Sequence, residues 1–156
     1  MNIDVLYVTE PEKIVVANEE LSVENIGNDM VAGKTLYTMV SAGTEFNGGF
    51  MNRLNNKFPC KFGYTTVFKV EHKGKDVKGI DIGDVVFTTG SHQSYQIDNY
   101  KNVVKIPETV SPVDALFIRM AGVSMASLKL THIPTGELVM VTGLGAVGFM
   151  AMYIYS

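Results

Sequence analysis

Leu138-Val139-Met140-Val141-Thr142-Gly143-Leu144-Gly145-Ala146-Val147-Gly148 is the stretch that decides the reading of this chain. A short apolar run, read as a strand, meets a G-x-G-x-x-G turn, and Val147, Phe149, Met150, Met152 and Tyr153 can open a helix behind it. In such a turn the first glycine permits a tight bend and the second lets the backbone approach a pyrophosphate. The third lets the helix pack on its strand, so phosphates meet the helix's free N–H groups. Gly143, Gly145 and Gly148 are therefore the candidate cofactor-binding residues. The pattern also expects an acidic residue about 20 positions further on to hold a ribose. The 156 residues contain no such position, so the expectation is a dinucleotide-binding unit cut short. Two other readings stay open. Residues 138–156 carry no charge and could be a membrane helix, although glycines punctuate the run and no Lys or Arg follows it. They could also be an ordinary buried strand and turn.

Working outward, the length suits one sizeable domain, or one domain plus part of another. A composition 46% hydrophobic and 19% charged is that of a globular chain. A net charge of -3 offers no general attraction to nucleic acid or to an anionic membrane, which leaves small molecules as the expected partners. Cys60 is the single cysteine, so an internal disulfide is excluded. No charged segment followed by an apolar run opens the chain, and the cytoplasm is the expected compartment.

From Asn2 to about Lys105, β-branched and aromatic runs alternate with turn residues. Ile3–Val8 and Lys13–Ala17 read as a hairpin around Thr9-Glu10-Pro11-Glu12, since Pro11 cannot donate to a ladder. Residues 34–41, 63–73, 84–88, 94–97 and 103–106 supply further strands, which suggests a small barrel or sandwich. After Pro107 the texture changes. Ser111 caps a segment opening Pro112-Val113-Asp114, and apolar positions through Leu130 fit one or two helices.

Four local patterns occur in one order. Ser41-Ala42-Gly43-Thr44-Glu45 is followed by Gly63-Tyr64-Thr65, by the strand entry Gly83-Asp84-Val85-Val86 and by Lys105-Ile106-Pro107, with the glycine turn last. Taken together they resemble the medium-chain dehydrogenase/reductase superfamily, the zinc-dependent alcohol dehydrogenase-like proteins, in which a GroES-like barrel precedes a Rossmann domain. The resemblance implies a mainly β fold with a few helices. A GroES-like β-barrel, residues 1–130, would carry the substrate side. Residues 131–156 would hold the first strand and helix start of a truncated Rossmann domain.

The same resemblance implies NAD or NADP as cofactor and a carbonyl, alcohol or activated alkene as substrate. It also frames the departures. In zinc-dependent members the loop cysteine and the histidine of Gly-His-Glu hold the metal, and the matching positions here are Ala42 and Tyr64. A catalytic zinc needs about three protein ligands. Cys60 cannot supply the four-cysteine structural zinc, and His72, His92 and His132 show no ligand spacing, so no metal is expected. Thr44 matches the family's proton-relaying hydroxyl. Tyr64 and His92 offer further donors. His92, after Val86-Phe87-Thr88-Thr89-Gly90, resembles a histidine of the zinc-less bacteriochlorophyllide dehydrogenase-like group. The candidate catalytic residues are thus Thr44, Tyr64 and His92, and the plain reading of Glu45 is a helix-start acid.

The expected function is the substrate-side domain of a zinc-independent oxidoreductase, with the 156 residues alone inactive. A non-catalytic GroES-like binding or assembly module is the alternative. The apolar end, Phe149 to Tyr155, invites self-association into a homo-oligomer.

Overall fold

A computed structural model describes residues 1–51 and 57–156. Its contacts divide the chain into two compact units, Met1–Leu116 and Phe117–Ser156.

The first unit is built from strands. β1 (Asn2–Glu10) and β2 (Lys13–Glu20) form the expected hairpin, with Val5 opposite Ala17 and Glu10 opposite Lys13. Pro11 and Glu12 alone make the turn, and Glu12 takes the left-handed backbone (φ 65°) that follows a proline in a type II turn. β4 (Cys60–Lys61) pairs on the other side of β1, giving the sheet order β2-β1-β4. The second sheet has the order β7-β3-β5-β6-β8, from β3 (Met30–Thr38), β5 (Thr66–Lys73), β6 (Val85–Thr88), β7 (Tyr95–Asn99) and β8 (Val104–Lys105). β3 starts four residues before the run predicted from Lys34. Met30–Gly33 lacks strong strand formers apart from Val31, and is held extended by pairing with β7 and β5 on its two sides.

Alternation places the core. Val31, Phe68, Val70 and Val86 are fully buried on one face of the second sheet, with Val77 and Ile80 packed into the same cluster. Val67 and Phe87 point to the opposite face, where Ile106, Ala115 and Leu116 cover them. A third cluster, Ile3, Val5, Ala32 and Tyr95, unites residues of both sheets. β1 also binds the segment before β7, through the Leu6 amide donating to the His92 carbonyl (2.9 Å) and the Ser94 amide donating to the Asp4 carbonyl (2.8 Å). These bonds join the two sheets and pin the loop that carries His92.

The Ser111 hydroxyl caps α1 (Pro112–Ala115) as expected, accepting from the Val113 amide at 3.2 Å. In the second unit α2 (Ile118–Thr131) packs on α3 (Ala146–Tyr155). The Ser124 hydroxyl donates to the Val147 carbonyl (2.9 Å) and the Tyr155 hydroxyl to the Ser124 carbonyl (3.3 Å). The run Leu138–Thr142, expected as a strand, enters no ladder. A strand is held by its neighbours, and this unit contains no other strand to supply them. Leu138 and Met140 are exposed in consequence. The apolar stretch 138–156 is thus divided between irregular backbone and a ten-residue helix. No helix among the described residues is long and apolar enough to cross a membrane.

Candidate active site

Ser41-Ala42-Gly43-Thr44-Glu45, read as a loop in the sequence, begins a π-helical segment spanning Ala42–Phe50. Its wide pitch shows in the Met51 amide, which donates to the Phe46 carbonyl five residues back at 2.8 Å. The first turn is tied twice at Ser41. The Ser41 carbonyl accepts from the Glu45 amide (2.8 Å), and the Ser41 amide donates to Glu45 Oε1 (2.7 Å). Glu45 thereby folds back over the start of the helix as an acidic cap does.

That fold-back turns the rest of the Glu45 carboxylate inward, where it is 3% exposed and meets His92. The second oxygen, Oε2, lies 2.8 Å from His92 Nε2, and the imidazole is equally buried. A carboxylate only accepts, so Nε2 carries the hydrogen of this bond. The backbone of His92 and one side of its ring are also held. Its amide donates to the Phe62 carbonyl (2.6 Å), its carbonyl accepts from Leu6, and its ring lies 5.4 Å from the Phe62 ring, tilted by 53°. Gly63 follows with φ 104°, a conformation that favours glycine, and carries the chain past His92 towards β5.

The three residues predicted to be catalytic are placed unequally. His92 is buried and paired. Thr44 immediately precedes Glu45 and is exposed at the rim of a cavity of about 230 Å³, which Glu45, Gly48, Cys60, Lys61 and Phe62 also line. Tyr64 is half-buried, one residue beyond Gly63. Neither the Thr44 hydroxyl nor the Tyr64 phenol hydrogen-bonds to the Glu45–His92 pair. His92 also borders a second cavity, of about 330 Å³, between β1 and β3, with Leu6, Thr35, Tyr37, Thr38 and Gln93.

Lys61 is already engaged. Its ammonium lies 2.9 Å from Glu19 Oε2 and over the Tyr7 ring, while Tyr7 donates to the other Glu19 oxygen. The Tyr7 hydrogen bond and then Lys61 hold the Glu19 carboxyl below its ordinary range, and the same bond raises the Tyr7 phenol. The pair that sequence reasoning missed is the one formed by Glu45. An acid four residues after a serine signals a helix start, but nothing local signals a histidine 47 positions away. Among the described residues no group of three or more His, Cys, Asp or Glu side chains comes together as a metal site.

In the second unit the glycine turn can be tested against a pyrophosphate. Gly143 has φ 84°, the left-handed turn demanded of the first glycine. A Cβ on Gly145 would meet nothing within 4 Å, so the backbone lies open to a ligand at the second. A Cβ on Gly148 would stand 1.9 Å from the Gly143 carbonyl oxygen, so only glycine fits at the third. Gly145 caps α3, whose opening amides follow at once. The residues fit a dinucleotide's phosphates.

No protein family model matches the chain, and no curated protein sequence matches it. Solved structures do. Galactitol-1-phosphate dehydrogenase from Escherichia coli superposes with a TM-score of 0.82 at 17% identity, over 97% of this chain and 51% of that one. Alcohol dehydrogenase from Thermus sp. ATN1 gives 0.82 at 16%, over 97% and 54%. The quinone oxidoreductase from Coxiella burnetii gives 0.79 at 20%, over 99% and 53%. The chain spans about half the length of these proteins. Two closed sheets and helices, superposing along nearly the whole chain, give it the fold of the GroES-like part of medium-chain dehydrogenase/reductases.

Proposed function

We propose that this chain is the substrate-side portion of a cytoplasmic, zinc-independent NAD(P)-dependent oxidoreductase acting on a small carbonyl, alcohol or activated alkene. The observation that carries the reading is the glycine turn. Gly143 takes the left-handed turn, Gly145 leaves its backbone open to an approaching phosphate, and Gly148 leaves no room for a Cβ beside the Gly143 carbonyl, which supports the reading. Gly143, Gly145 and Gly148, with the first amides of α3, would hold the cofactor's phosphates. When bound, the nicotinamide supplies the hydride acceptor or donor. The chain's own residues supply the proton side of the reaction, with Thr44 at the cavity rim, Tyr64 next in the chain to Gly63 and His92 buried on Glu45. Ala42 and Tyr64 at the metal-ligand positions support chemistry without zinc, because neither offers a thiolate or imidazole. The exposed Leu130, Met140 and Tyr153 of the second unit support self-association.

The test is titration of the purified protein, as expressed from its own locus, with NADH and NADPH, followed by cofactor fluorescence. Saturable binding of one of them, lost in Gly148→Val, is expected. Absence of binding to both would reject the oxidoreductase reading and favour a non-catalytic binding module. The 156 residues alone are expected to show no turnover with carbonyl substrates.

A further inference from the structure

The two oxygens of Glu45 are committed to two different hydrogen-bond donors, and this has a consequence for His92. Oε1 accepts from the Ser41 amide at 2.7 Å, and Oε2 faces His92 Nε2 at 2.8 Å, both in a site from which water is nearly excluded. The nitrogen that bears the hydrogen in a neutral imidazole is set by the bond the other groups make to it. With Nε2–H held on Glu45, the lone pair is left on Nδ1, for which no described protein group is a hydrogen-bond partner.

We infer that Glu45 is a positioning residue that fixes the tautomer of His92, so that Nδ1 is the atom that takes up and returns a proton. This deepens the functional reading above and rests on it for the identity of the reaction. The step balances simply. A substrate hydroxyl gives its proton to Nδ1 while the carbon that bears it would give a hydride, with its electron pair, to the oxidised nicotinamide of that reading, so that the alcohol becomes a carbonyl; His92 becomes an imidazolium, and the Glu45 carboxylate offsets the new charge through the bond it already makes. In the reductive direction the same proton returns to the substrate oxygen.

Glu45→Gln makes a sharp test, because the Ser41 amide can only donate. The glutamine must turn its carbonyl oxygen to Ser41, which directs its NH2 group at His92 Nε2. Nε2 must then accept, and the imidazole hydrogen moves to Nδ1. An amide that replaces a carboxylate behind a histidine gives the wrong tautomer in serine proteases by the same logic.

The experiment is nitrogen-15 NMR of the histidine-labelled full chain, with His92 assigned by the loss of its signals in His92→Gln. The wild type is expected to show a protonated Nε2 and an unprotonated Nδ1, and Glu45→Gln the reverse. A protonated Nδ1 in the wild type, whether as the other tautomer or as an imidazolium throughout the pH range of the folded protein, would overturn the inference. So would a folded Glu45→Gln variant with the wild-type pattern. If that variant fails to fold, the wild-type spectrum alone decides. The readout needs no cofactor, so a failure to bind NADH or NADPH would reject the oxidoreductase reading while leaving the tautomer result intact.

Discussion

Gly63 lies directly against His92. A Cβ built on Gly63 would stand 2.7 Å from the His92 amide nitrogen and 2.8 Å from Cγ and Cδ2 of its ring. The missing side chain lets the chain entering β5 pass the imidazole closely while the His92 amide bonds to Phe62 at 2.6 Å. Gly63→Ala would add both a clash and a residue strained at φ 104°. A loss of about 2–4 kcal/mol in unfolding free energy is expected by denaturant titration. A change under about 0.5 kcal/mol would mean that the loop relaxes away from His92.

The Glu45–His92 pair is buried on both sides, so removing either partner strands the other. His92→Ala and Glu45→Ala are each expected to cost about 3–5 kcal/mol, and the double variant much less than their sum. A double-mutant cycle checks this. Additive losses would show that the two side chains do not interact in solution.

Gly148→Ala should act in opposite directions at two levels. In a helix interior alanine is favoured over glycine by about 1 kcal/mol, but here its Cβ would overlap the Gly143 carbonyl oxygen at 1.9 Å. The turn must open to admit it. Nicotinamide cofactor binding by the intact protein is expected to weaken at least tenfold, a cost of about 1.4 kcal/mol. Unchanged affinity would remove this turn from the proposed cofactor site.

Tyr95 gives the first unit an alkaline limit. Its hydroxyl is buried, and burial first, then the nearby Glu71 carboxylate, push the phenol from 10.0 up to about 12. Above pH 10 the unfolded chain releases this proton while the folded one retains it. Stability is therefore complete below pH 10 and falls between pH 10 and 12, by roughly 2–3 kcal/mol over the window. Denaturation followed against pH should show this slope, and Tyr95→Phe should flatten it. An unchanged slope in the variant would assign the alkaline loss to other groups.

Self-association should depend on the second unit. Leu130 and Tyr153 are 79% and 65% exposed on α2 and α3. Light scattering is expected to detect dimers or larger species, and Leu130→Glu with Tyr153→Glu to return them to monomer. A monodisperse wild-type monomer would contradict the proposal.

The sequence by itself determined the features that depend on near neighbours. Alternation marked out the strands around Val5, Val67 and Val86, Pro11 set the hairpin turn, Ser111 capped α1, and the spacing of Gly143, Gly145 and Gly148 predicted a turn whose sterics the backbone reproduces. Each is settled within a few residues by dihedral preference or by period. Tertiary structure alone decided what depends on distant partners. Met30–Gly33 is extended because β5 and β7 flank it, whereas Leu138–Thr142, richer in strand formers, forms no strand because its unit offers no neighbour. Glu45 reads as a helix-start acid, and it is one, but its second oxygen meets His92 only because β1 anchors residues 92–94 and Gly63 leaves room beside the ring. Hydrogen bonds between residues 47 apart leave no periodic trace in a sequence, since the chain between them is free to place them anywhere until the sheets close.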